Sequence, residues 1–516
     1  MKNKAIKGTL IITIVTILSK FLGFLKEMLI ANNFGSSYLA DIYVFSYGIT
    51  TMIFSSIGLS IKTTFIPILV SLMEQRNNEE RNYFVNNIIN ITIIIGLCLS
   101  ILGITLSKYV VLIFGPGFAT NYTSEVFILT IQVVRIMFLS FVFISVQNIL
   151  SGLLQAHQEY TIPAIMTVFF NLVIIIYIIV WSDRLGIYGL SIAIVIAFIV
   201  QVIVHVPRYT KLGYKYKLVL NFRDCNLKTM LKLMVPVLLG SSVTQANFMV
   251  DRMLASKIGE GAISTMNYAN KLNLLIYNIC GTAISTVVYS NLSRLWANEN
   301  EKIFSDVIVK SINIMNIILI PSTIGMIILR DPLIILAYKR GMFDDRDVIT
   351  TASILLCYAP SMIAYGIRDI LDRSFYAMQD TKTPMINGCI GVLINIILNI
   401  FLSKYLGING LAIATTISSV VTTIVLFYKL NNKIITRLYK IKVCFIKIII
   451  SATIMGVVVY FTSSYMEGVH SNNIILIIIA AIIGIVVYII CLYLFKVDEF
   501  MYILEKINRK YIRKED

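Results

Sequence analysis

The sequence predicts an all-α integral membrane protein of about fourteen transmembrane helices, with two pseudo-symmetric six-helix lobes around a central cavity and two further C-terminal helices. Hydrophobic residues fill 58% of the 516 positions and charged residues only 14%, with a mean hydropathy of +0.83. A soluble domain carries nearer a quarter charged residues, so much of this apolar surface must face lipid. Charge-free runs at 91–106, 164–181 and 474–493 approach or reach the roughly 20 residues that span a bilayer core.

The individual helices follow from apolar runs that are separated by turn-forming residues. Glycines, and the triplet Gly115-Pro116-Gly117, fall between these runs or at their edges, where they favour turns. The predicted helices are 8–31, 39–72, 84–107, 124–155, 162–182, 187–206, 229–257, 262–291, 303–329, 347–377, 384–403, 407–429, 443–463 and 474–495.

The distribution of basic residues predicts the orientation of the chain. The N-terminus, every second loop after it and the C-terminal tail together hold 24 lysines and arginines, whereas the remaining loops hold 7. Cytoplasmic loops are enriched in lysine and arginine, so both termini are expected in the cytoplasm, with the chain in the cytoplasmic membrane. This pattern accounts for the net charge of +17 without nucleic-acid binding.

An internal repeat at an offset of 221 residues divides the chain. The segment Gly186-Ile-x-Gly-Leu-x-Ile-Ala recurs from Gly407, and the segment from Asn148 to Pro163 matches the one from Asp369 to Pro384. Two six-helix halves that start on the same side of the membrane form a parallel repeat, as in some transporters. The predicted organisation is an N-terminal lobe (1–206), a cytoplasmic basic loop (207–228), a C-terminal lobe (229–429), and helices 13–14 with a basic cytoplasmic tail (430–516).

Helix 1 carries an unusual polar face inside an apolar span. Ser19, Lys20, Gly23, Lys26 and Glu27 fall within an arc of about 120° at helical periodicity. A charge at mid-membrane costs a few kcal/mol or more unless it faces the protein interior or water. The pattern therefore predicts a helix that lines a polar cavity. The alternative is that the two lysines extend to the membrane interface.

Further charged residues are expected at the same cavity. Helix 2 opens with Asp41, helix 7 carries Asp251 and Arg252, and helix 8 carries Lys271. Helices 1 and 7 begin the two halves, so their polar faces are expected to meet at the pseudo-symmetric centre. Cations outnumber carboxylates there, which favours an anionic ligand such as a diphosphate. The predicted substrate-binding residues are Lys20, Lys26, Glu27, Asp41, Arg252 and Lys271.

These residues resemble a known family, the MurJ/MviN lipid II flippases of the MOP superfamily. The similarity covers nearly the whole chain and rests on five segments. These are Ser19-Lys-Phe-Leu-Gly-Phe-Leu-Lys-Glu27, Phe65-Ile-Pro-Ile-Leu69, Tyr268-Ala-Asn-Lys271, Tyr338-x-x-Gly341-x-Phe343 and Phe375-Tyr-Ala-x-Gln-Asp-x-Lys-Thr-Pro384. The resemblance implies two lobes around a V-shaped cavity, alternating access, and a cargo of undecaprenyl-diphosphate-linked peptidoglycan precursor.

The chain departs from the family pattern in three places. Lysines stand at 20, 26 and 271, where the family has arginines, and lysine lacks the bidentate geometry of a guanidinium. The basic pair common in the middle of helix 2 is missing, since 47–61 holds no charge. In helix 8, Asn270 stands where the family has an acidic residue. These departures leave the saccharide open.

The family also implies a sodium ion as the coupling ion, and no other cofactor is expected. Its oxygen ligands carry over to Asp251 of helix 7, Asn395 and Asn399 of helix 11, and Thr415 and the Leu411 carbonyl of helix 12. Such a set suits a hard cation. In the alternative, Asp251 forms an ion pair with Arg252 or Lys271, and the two asparagines form hydrogen bonds between helices.

A transporter of lipid II, acting in peptidoglycan and cell-wall biogenesis and hence in cell shape, is the function the sequence favours. Flippases of other polyprenyl-diphosphate oligosaccharides, for capsule, teichoic or exopolysaccharide, stay open. A cation-coupled drug exporter, a membrane glycosyl polymerase and a scaffold are weaker alternatives. A polymerase would need catalytic carboxylates on an extracytoplasmic loop, and the acidic segment 344–347 reads better as a solvated turn. The expected partners are a polyprenyl-diphosphate saccharide, membrane lipids and the cell-wall synthesis machinery.

Overall fold

The computed structural model describes residues 2–75, 77–434, 438–469, 473–502 and 504–505, and helices joined by short turns dominate this part of the chain. Numbered in chain order, the helices are α1 (Lys2–Phe34), α2 (Tyr38–Glu74), α3 (Asn78–Phe114), α4 (Gly117–Thr120), α5 (Ser124–Phe138), α6 (Ser140–Ala156), α7 (Thr161–Lys211), α8 (Cys225–Ile258), α9 (Ala262–Ala297), α10 (Glu301–Ile328), α11 (Arg330–Tyr338), α12 (Asp345–Tyr358), α13 (Ser361–Ala377), α14 (Lys382–Lys433), α15 (Leu438–Val469) and α16 (Asn473–Leu494).

The all-helical membrane fold that the sequence predicts is confirmed. Within the described residues, ten helices are long and apolar enough to cross a membrane, or eleven if the two limbs of α9, bent by 48°, form one span. Two of these helices, α7 with 51 residues and α14 with 52, would each measure about 75 Å at 1.5 Å per residue, more than twice a bilayer core. Each is interrupted by a glycine outside helical geometry, so each is long enough to supply two spans. The total of fourteen stays a prediction.

The duplication is visible in the bounds of the helices. Helices α5 and α12 begin at 124 and 345, α6 and α13 at 140 and 361, and α7 and α14 at 161 and 382, which is the sequence offset of 221 each time. Gly186 and Gly407 break the two long helices with φ near +50° and +55°, a conformation that glycine adopts without strain. Gln158 and Gln379 also share the left-handed conformation in the preceding turns. The two halves therefore repeat the same backbone.

The chain divides into two compact units. Unit 1 comprises 1–264 with 340–343, and unit 2 comprises 265–339 with 344–516. Unit 1 thus contains α8, the helix with which the predicted C-terminal lobe begins. The predicted lobes rest on the duplication and on chain order, and their bounds stay a prediction.

The core of unit 1 forms where α2, α3 and α6 pack together. Phe65 of α2 stacks on Phe84 of α3, and both side chains are fully buried. The predicted basic loop (207–228) is held against this core by hydrogen bonds. Asn86, Asn87 and Asn90 of α3 donate hydrogen bonds to backbone carbonyls of the segment 215–221.

In unit 2, the two C-terminal membrane helices pack on α10. Tyr488 of α16 donates a hydrogen bond to the Ile317 carbonyl at 2.8 Å, and Ile448, Ala452 and Ala480 are fully buried at the contact. Small and branched side chains allow such helices to approach closely. Helices α15 and α16 therefore belong to the core of unit 2.

Candidate functional site

The polar face of α1 places an ion pair in the interior of unit 1. The Lys26 ammonium lies 3.2 Å from the Glu27 carboxylate, and each side chain is only 6% exposed. The same ammonium lies 5.4 Å from the ring centre of Tyr47 and 6.0 Å from that of Phe170. Aromatic faces attract cations at such distances. Lys26 is therefore buried between a carboxylate and two aromatic rings. The polar cavity that the sequence predicts at this face stays a prediction.

Helix α1 is oriented by contacts to the first limb of α7. Ser19 donates to the Thr167 hydroxyl at 2.6 Å, and the Asn171 amide donates to the Ser19 carbonyl at 3.2 Å. Gly23 lies beside Asn171, since a Cβ on it would be 3.5 Å from the amide nitrogen. Lys20 is exposed and thus lies in a different environment from Lys26. The two lysines of the predicted polar face are consequently not equivalent.

A second cation reaches α2 from α8. The Arg252 guanidinium fills the space above Gly48, where a Cβ would lie 1.4 Å from Nη1, and Nη1 lies 3.3 Å from the Met52 sulfur. Lys26 and Arg252 are both within electrostatic reach of the Tyr47 hydroxyl. The charge-free middle of helix 2 thus receives a guanidinium from another helix. The sequence signal for this contact was Gly48, one of two glycines in the charge-free stretch 47–61.

Asp41 is fully buried and held by donors of the chain itself. Its carboxylate accepts the backbone N–H groups of Gly261 and Ser264, both at 2.7 Å, and the Tyr122 hydroxyl at 3.3 Å. These bonds satisfy free N–H groups at the N-terminus of α9. Asp41 therefore stabilises the turn between α8 and α9 through hydrogen bonds. Its assignment as a substrate contact stays a prediction.

Lys271 lies in α9, within unit 2, and its side chain is exposed. The neighbouring part of α9 is firmly anchored: Tyr268 is fully buried against Tyr338, whose hydroxyl donates to the Tyr268 carbonyl at 3.2 Å. The Asn273 amide donates to the Ser361 hydroxyl at 3.2 Å. Lys271 is thus an exposed cation on a rigid turn of helix. Its binding role stays a prediction.

Four of the five predicted sodium ligands come together within α14. The Asn399 amide donates to the Asn395 oxygen at 2.8 Å, the Asn395 amide donates to the Thr415 hydroxyl at 3.3 Å, and that hydroxyl donates to the Leu411 carbonyl at 3.1 Å. The fifth, Asp251, is half-buried in α8 of unit 1. Among the described residues no three His, Cys, Asp or Glu side chains form a metal cluster. Both interpretations of this polar set, ion ligands or contacts between helix limbs, are compatible with these bonds.

Sequence reasoning overlooked a charged cluster on α13. Arg368 pairs with Asp372 and Arg373 pairs with Asp369, each through i,i+4 spacing on the helix. The signal was present in the spacing Arg-Asp-x-x-Asp-Arg within an otherwise apolar segment.

A comparison with known proteins bears on these features. The model of the family described as "Lipid II flippase MurJ" matches residues 30–482, which is most of the chain. The chain belongs to the lipid II flippase MurJ family. A probable lipid II flippase MurJ of Buchnera aphidicola subsp. Acyrthosiphon pisum (strain APS) is 29% identical over 469 residues, covering 90% of this chain and 91% of that protein.

Solved structures of the MurJ family and its superfamily show the same architecture. A lipid II flippase MurJ in an inward closed conformation is 28% identical, with a TM-score of 0.82 over 94% of this chain and 98% of that one. An inward-facing MATE multidrug transporter of the MOP superfamily is 14% identical, with a TM-score of 0.66 over 81% of this chain and 96% of that one. The second similarity extends to the fold alone. The expectation of a MurJ-type, multi-pass membrane transporter is confirmed.

Proposed function

We propose that this chain translocates lipid II, the undecaprenyl-diphosphate-linked peptidoglycan precursor, from the inner to the outer leaflet of the cytoplasmic membrane by alternating access. The buried pair of Lys26 and Glu27 beside Tyr47 carries the proposal. Desolvating two charges inside a membrane-spanning unit is costly. A functional role for the Lys26 charge, such as neutralising a diphosphate, would explain why this free-energy cost is tolerated.

Lys26 and Arg252 fit the needs of a diphosphate ligand. Their charges approach the same tyrosine from α1 and α8, so a ligand at Tyr47 would meet two cations in surroundings of low dielectric. Charge-assisted hydrogen bonds to phosphate oxygens contribute roughly 1.5–3 kcal/mol each. Glu27 then acts as the resident counter-ion, which holds Lys26 charged while the site is empty. Exchange of Glu27 for phosphate as the partner of Lys26 would couple binding to movement of α1.

The test is complementation of a bacterial strain depleted of its own lipid II flippase. The unaltered chain should restore growth and lipid II accessibility at the outer leaflet. Lys26→Ala with Glu27→Ala should fail to do so although the protein is inserted in normal amount. The exposed Lys228, outside the proposed site, gives the matched control Lys228→Ala, which should restore growth.

Two results would contradict the proposal. One is full complementation by the double variant, which would remove the buried pair from the mechanism. The other is failure of the unaltered chain in the lipid II assay, combined with transport in vesicles of an undecaprenyl-diphosphate monosaccharide that carries no peptide. That result would favour a flippase for another polymer.

A further inference from the structure

The four charged residues of α13 form a compact cluster that the proposed diphosphate site does not use. The Arg368 Nε lies 3.6 Å from the Asp372 carboxylate, and the Arg373 Nε lies 3.2 Å from that of Asp369. Between 21% and 29% of each side chain is exposed. All four residues belong to unit 2. We call Arg368, Asp369, Asp372 and Arg373 the α13 charge cluster.

Arg368 of the α13 charge cluster lies far enough from the end of its span to reach the hydrocarbon core. It lies in the span Asp345–Ala377, and Arg368 precedes the end of that span by nine residues, or about 14 Å along the helix axis. The hydrocarbon core is about 30 Å thick. Lipid cannot solvate a charge at this depth, and ionisable residues there face an interior or a water-filled space. The exposed part of Arg368 must therefore meet water or a polar ligand.

The equivalent helix of the first repeat carries none of these charges. At the offset of 221 residues, the equivalent positions in α6 are Gln147, Asn148, Ser151 and Gly152. Helix α6 has the same length and the same place in its repeat as α13, yet it carries neutral residues at all four positions. The charges are a property of the second half alone. A role in ligand binding explains this difference better than a role in folding.

Neighbouring side chains hold the cluster in a defined geometry. The Tyr277 hydroxyl donates to the Asp369 carboxylate at 3.2 Å, and the Arg373 guanidinium lies 5.9 Å from the ring centre of Tyr289. Both tyrosines come from α9. The Asp372 Oδ1 atom is buried and has no hydrogen-bond partner among the described residues. A buried carboxylate oxygen without a donor costs free energy unless a ligand supplies one.

The donors and acceptors of the cluster suit a ligand that carries both signs of charge. A guanidinium has five N–H donors, and an ion pair through Nε leaves its terminal nitrogens able to bind a carboxylate bidentately. The Asp372 carboxylate, whose side chain is 21% exposed, can accept an ammonium group. A diphosphate, in contrast, would be repelled by the two aspartates. An amino acid or peptide with free carboxylate and ammonium groups is the matching chemistry.

We propose that the α13 charge cluster binds the peptide part of the lipid-linked cargo, with Arg368 and Arg373 each binding a carboxylate group and Asp372 accepting an ammonium group. This inference rests on the proposed function, because it assigns a second contact to the same cargo. It divides recognition between two places: the diphosphate at Lys26 and Arg252, and the peptide at α13. Cargo that lacks the peptide would then bind only at Lys26 and Arg252.

The experiment compares two probes on the purified full-length protein in detergent. One probe is lipid II and the other is undecaprenyl diphosphate, which lacks sugar and peptide. Arg368→Gln with Arg373→Gln should weaken lipid II binding about tenfold or more, because two charge-assisted contacts are lost. Its affinity for undecaprenyl diphosphate should stay unchanged. Arg346→Gln, which removes an exposed arginine from α12, is the matched control and should bind both probes normally.

A chemical change in the probe tests the ammonium contact without relying on the arginine variants. Acetylation of the peptide amine of lipid II should weaken binding to the unaltered protein about fivefold to tenfold, whereas Asp372→Asn should bind both forms equally. Asp372→Asn is nearly isosteric, and a melting curve of each variant checks its folding.

The outcomes separate this inference from the proposed function. Normal lipid II binding by the arginine variant, or equal losses for the two probes, would show that the cluster only stabilises α13. Equal sensitivity of the unaltered protein and Asp372→Asn to acetylation would overturn the ammonium contact. If the unaltered protein bound neither probe, the proposed function itself would fail.

Discussion

Glu159 and Asp380 occupy the same position in the two repeats, and each is paired with a basic residue at the end of a long helix. Glu159 accepts hydrogen bonds from Arg208 of α7, and Asp380 accepts one from Lys433 of α14. Each acid follows a glutamine in the left-handed conformation. The acid in both halves thus ties the turn before a long helix to the far end of that helix. The same connection is kept although both partners differ in residue type.

The pairing predicts a pH dependence of stability at Asp380. Partial burial alone would raise the pKa of Asp380, but hydrogen bonds from Lys433 and Thr383 outweigh it and lower the pKa to about 2. Because the folded value lies below the unfolded value of about 3.9, the stabilisation is complete above about pH 5 and is lost as the pH falls toward 2. Asp380→Asn should therefore lower the free energy of unfolding at pH 7 by about 1 kcal/mol.

Thermal melting in detergent between pH 7 and pH 2.5 measures this dependence. The difference between Asp380→Asn and the unaltered chain should shrink steadily below about pH 5. Asp345→Asn is the control, since the Asp345 side chain is 79% exposed and its pair with Lys339 should contribute little. A difference at Asp380 that does not change with pH would contradict the ion-pair explanation.

The next prediction concerns the buried ion pair of Lys26 and Glu27. Lys26→Ala leaves Glu27 buried without its partner, so the free energy of unfolding should fall by roughly 3–5 kcal/mol and flipping should stop. Lys26→Ala combined with Glu27→Ala should recover most of the stability without any flipping. Lys26→Arg should retain activity, because it keeps the charge. Melting curves and a lipid II accessibility assay give the two readouts, and flipping by the double variant would assign the pair a purely structural role.

The contact between the Arg252 guanidinium and Gly48 leads to a separate prediction. Gly48→Ala introduces a Cβ into the volume of the Arg252 guanidinium, so the arginine must move. Since the clash is with the end of a long side chain, stability should fall by only about 1–3 kcal/mol. Flipping should fall at least about tenfold if Arg252 must stay at α2 to bind the diphosphate. Gly325→Ala, where nothing lies within 4 Å of the new Cβ, should be neutral in both assays.

Sodium binding predicts a ligand-dependent stability. If Asn395, Asn399 and Thr415 hold sodium together with Asp251, replacing potassium by sodium at equal ionic strength should raise the melting temperature of the purified protein. Asp251→Asn and Asn399→Ala should each abolish that rise. Asp183→Asn, at an exposed site, should not. Indifference of the unaltered chain to the choice of cation would leave the α14 polar set as contacts between helix limbs.

Membrane orientation follows from the basic loops and can be measured with single cysteines. In a background without the seven native cysteines, Asn78→Cys at the start of α3 should resist an impermeant thiol reagent in intact cells and react after lysis. Thr120→Cys, at the exposed end of α4, should react in intact cells. The reverse pattern would place the N-terminus outside.

Local chemistry determined a large part of this protein from sequence alone. The apolar runs gave the helical membrane fold, and a spacing of 221 residues revealed the duplication, because hydrophobic length and repeat period are properties of the chain itself. The polar face of helix 1 singled out Lys26 and Glu27, since a charge in a span must be buried or wetted, and the two side chains form a buried ion pair. That this face lines a substrate cavity stays a prediction.

Only the tertiary structure decided which partners these charges meet. Arg252 sits above Gly48, Asp41 receives the N–H groups of Gly261 and Ser264, and Tyr277 of α9 fastens Asp369 of α13. Each of these contacts joins different helices, and it depends on how the helices are rotated and packed. Helical periodicity fixes the face on which a side chain lies, but packing fixes what stands opposite that face.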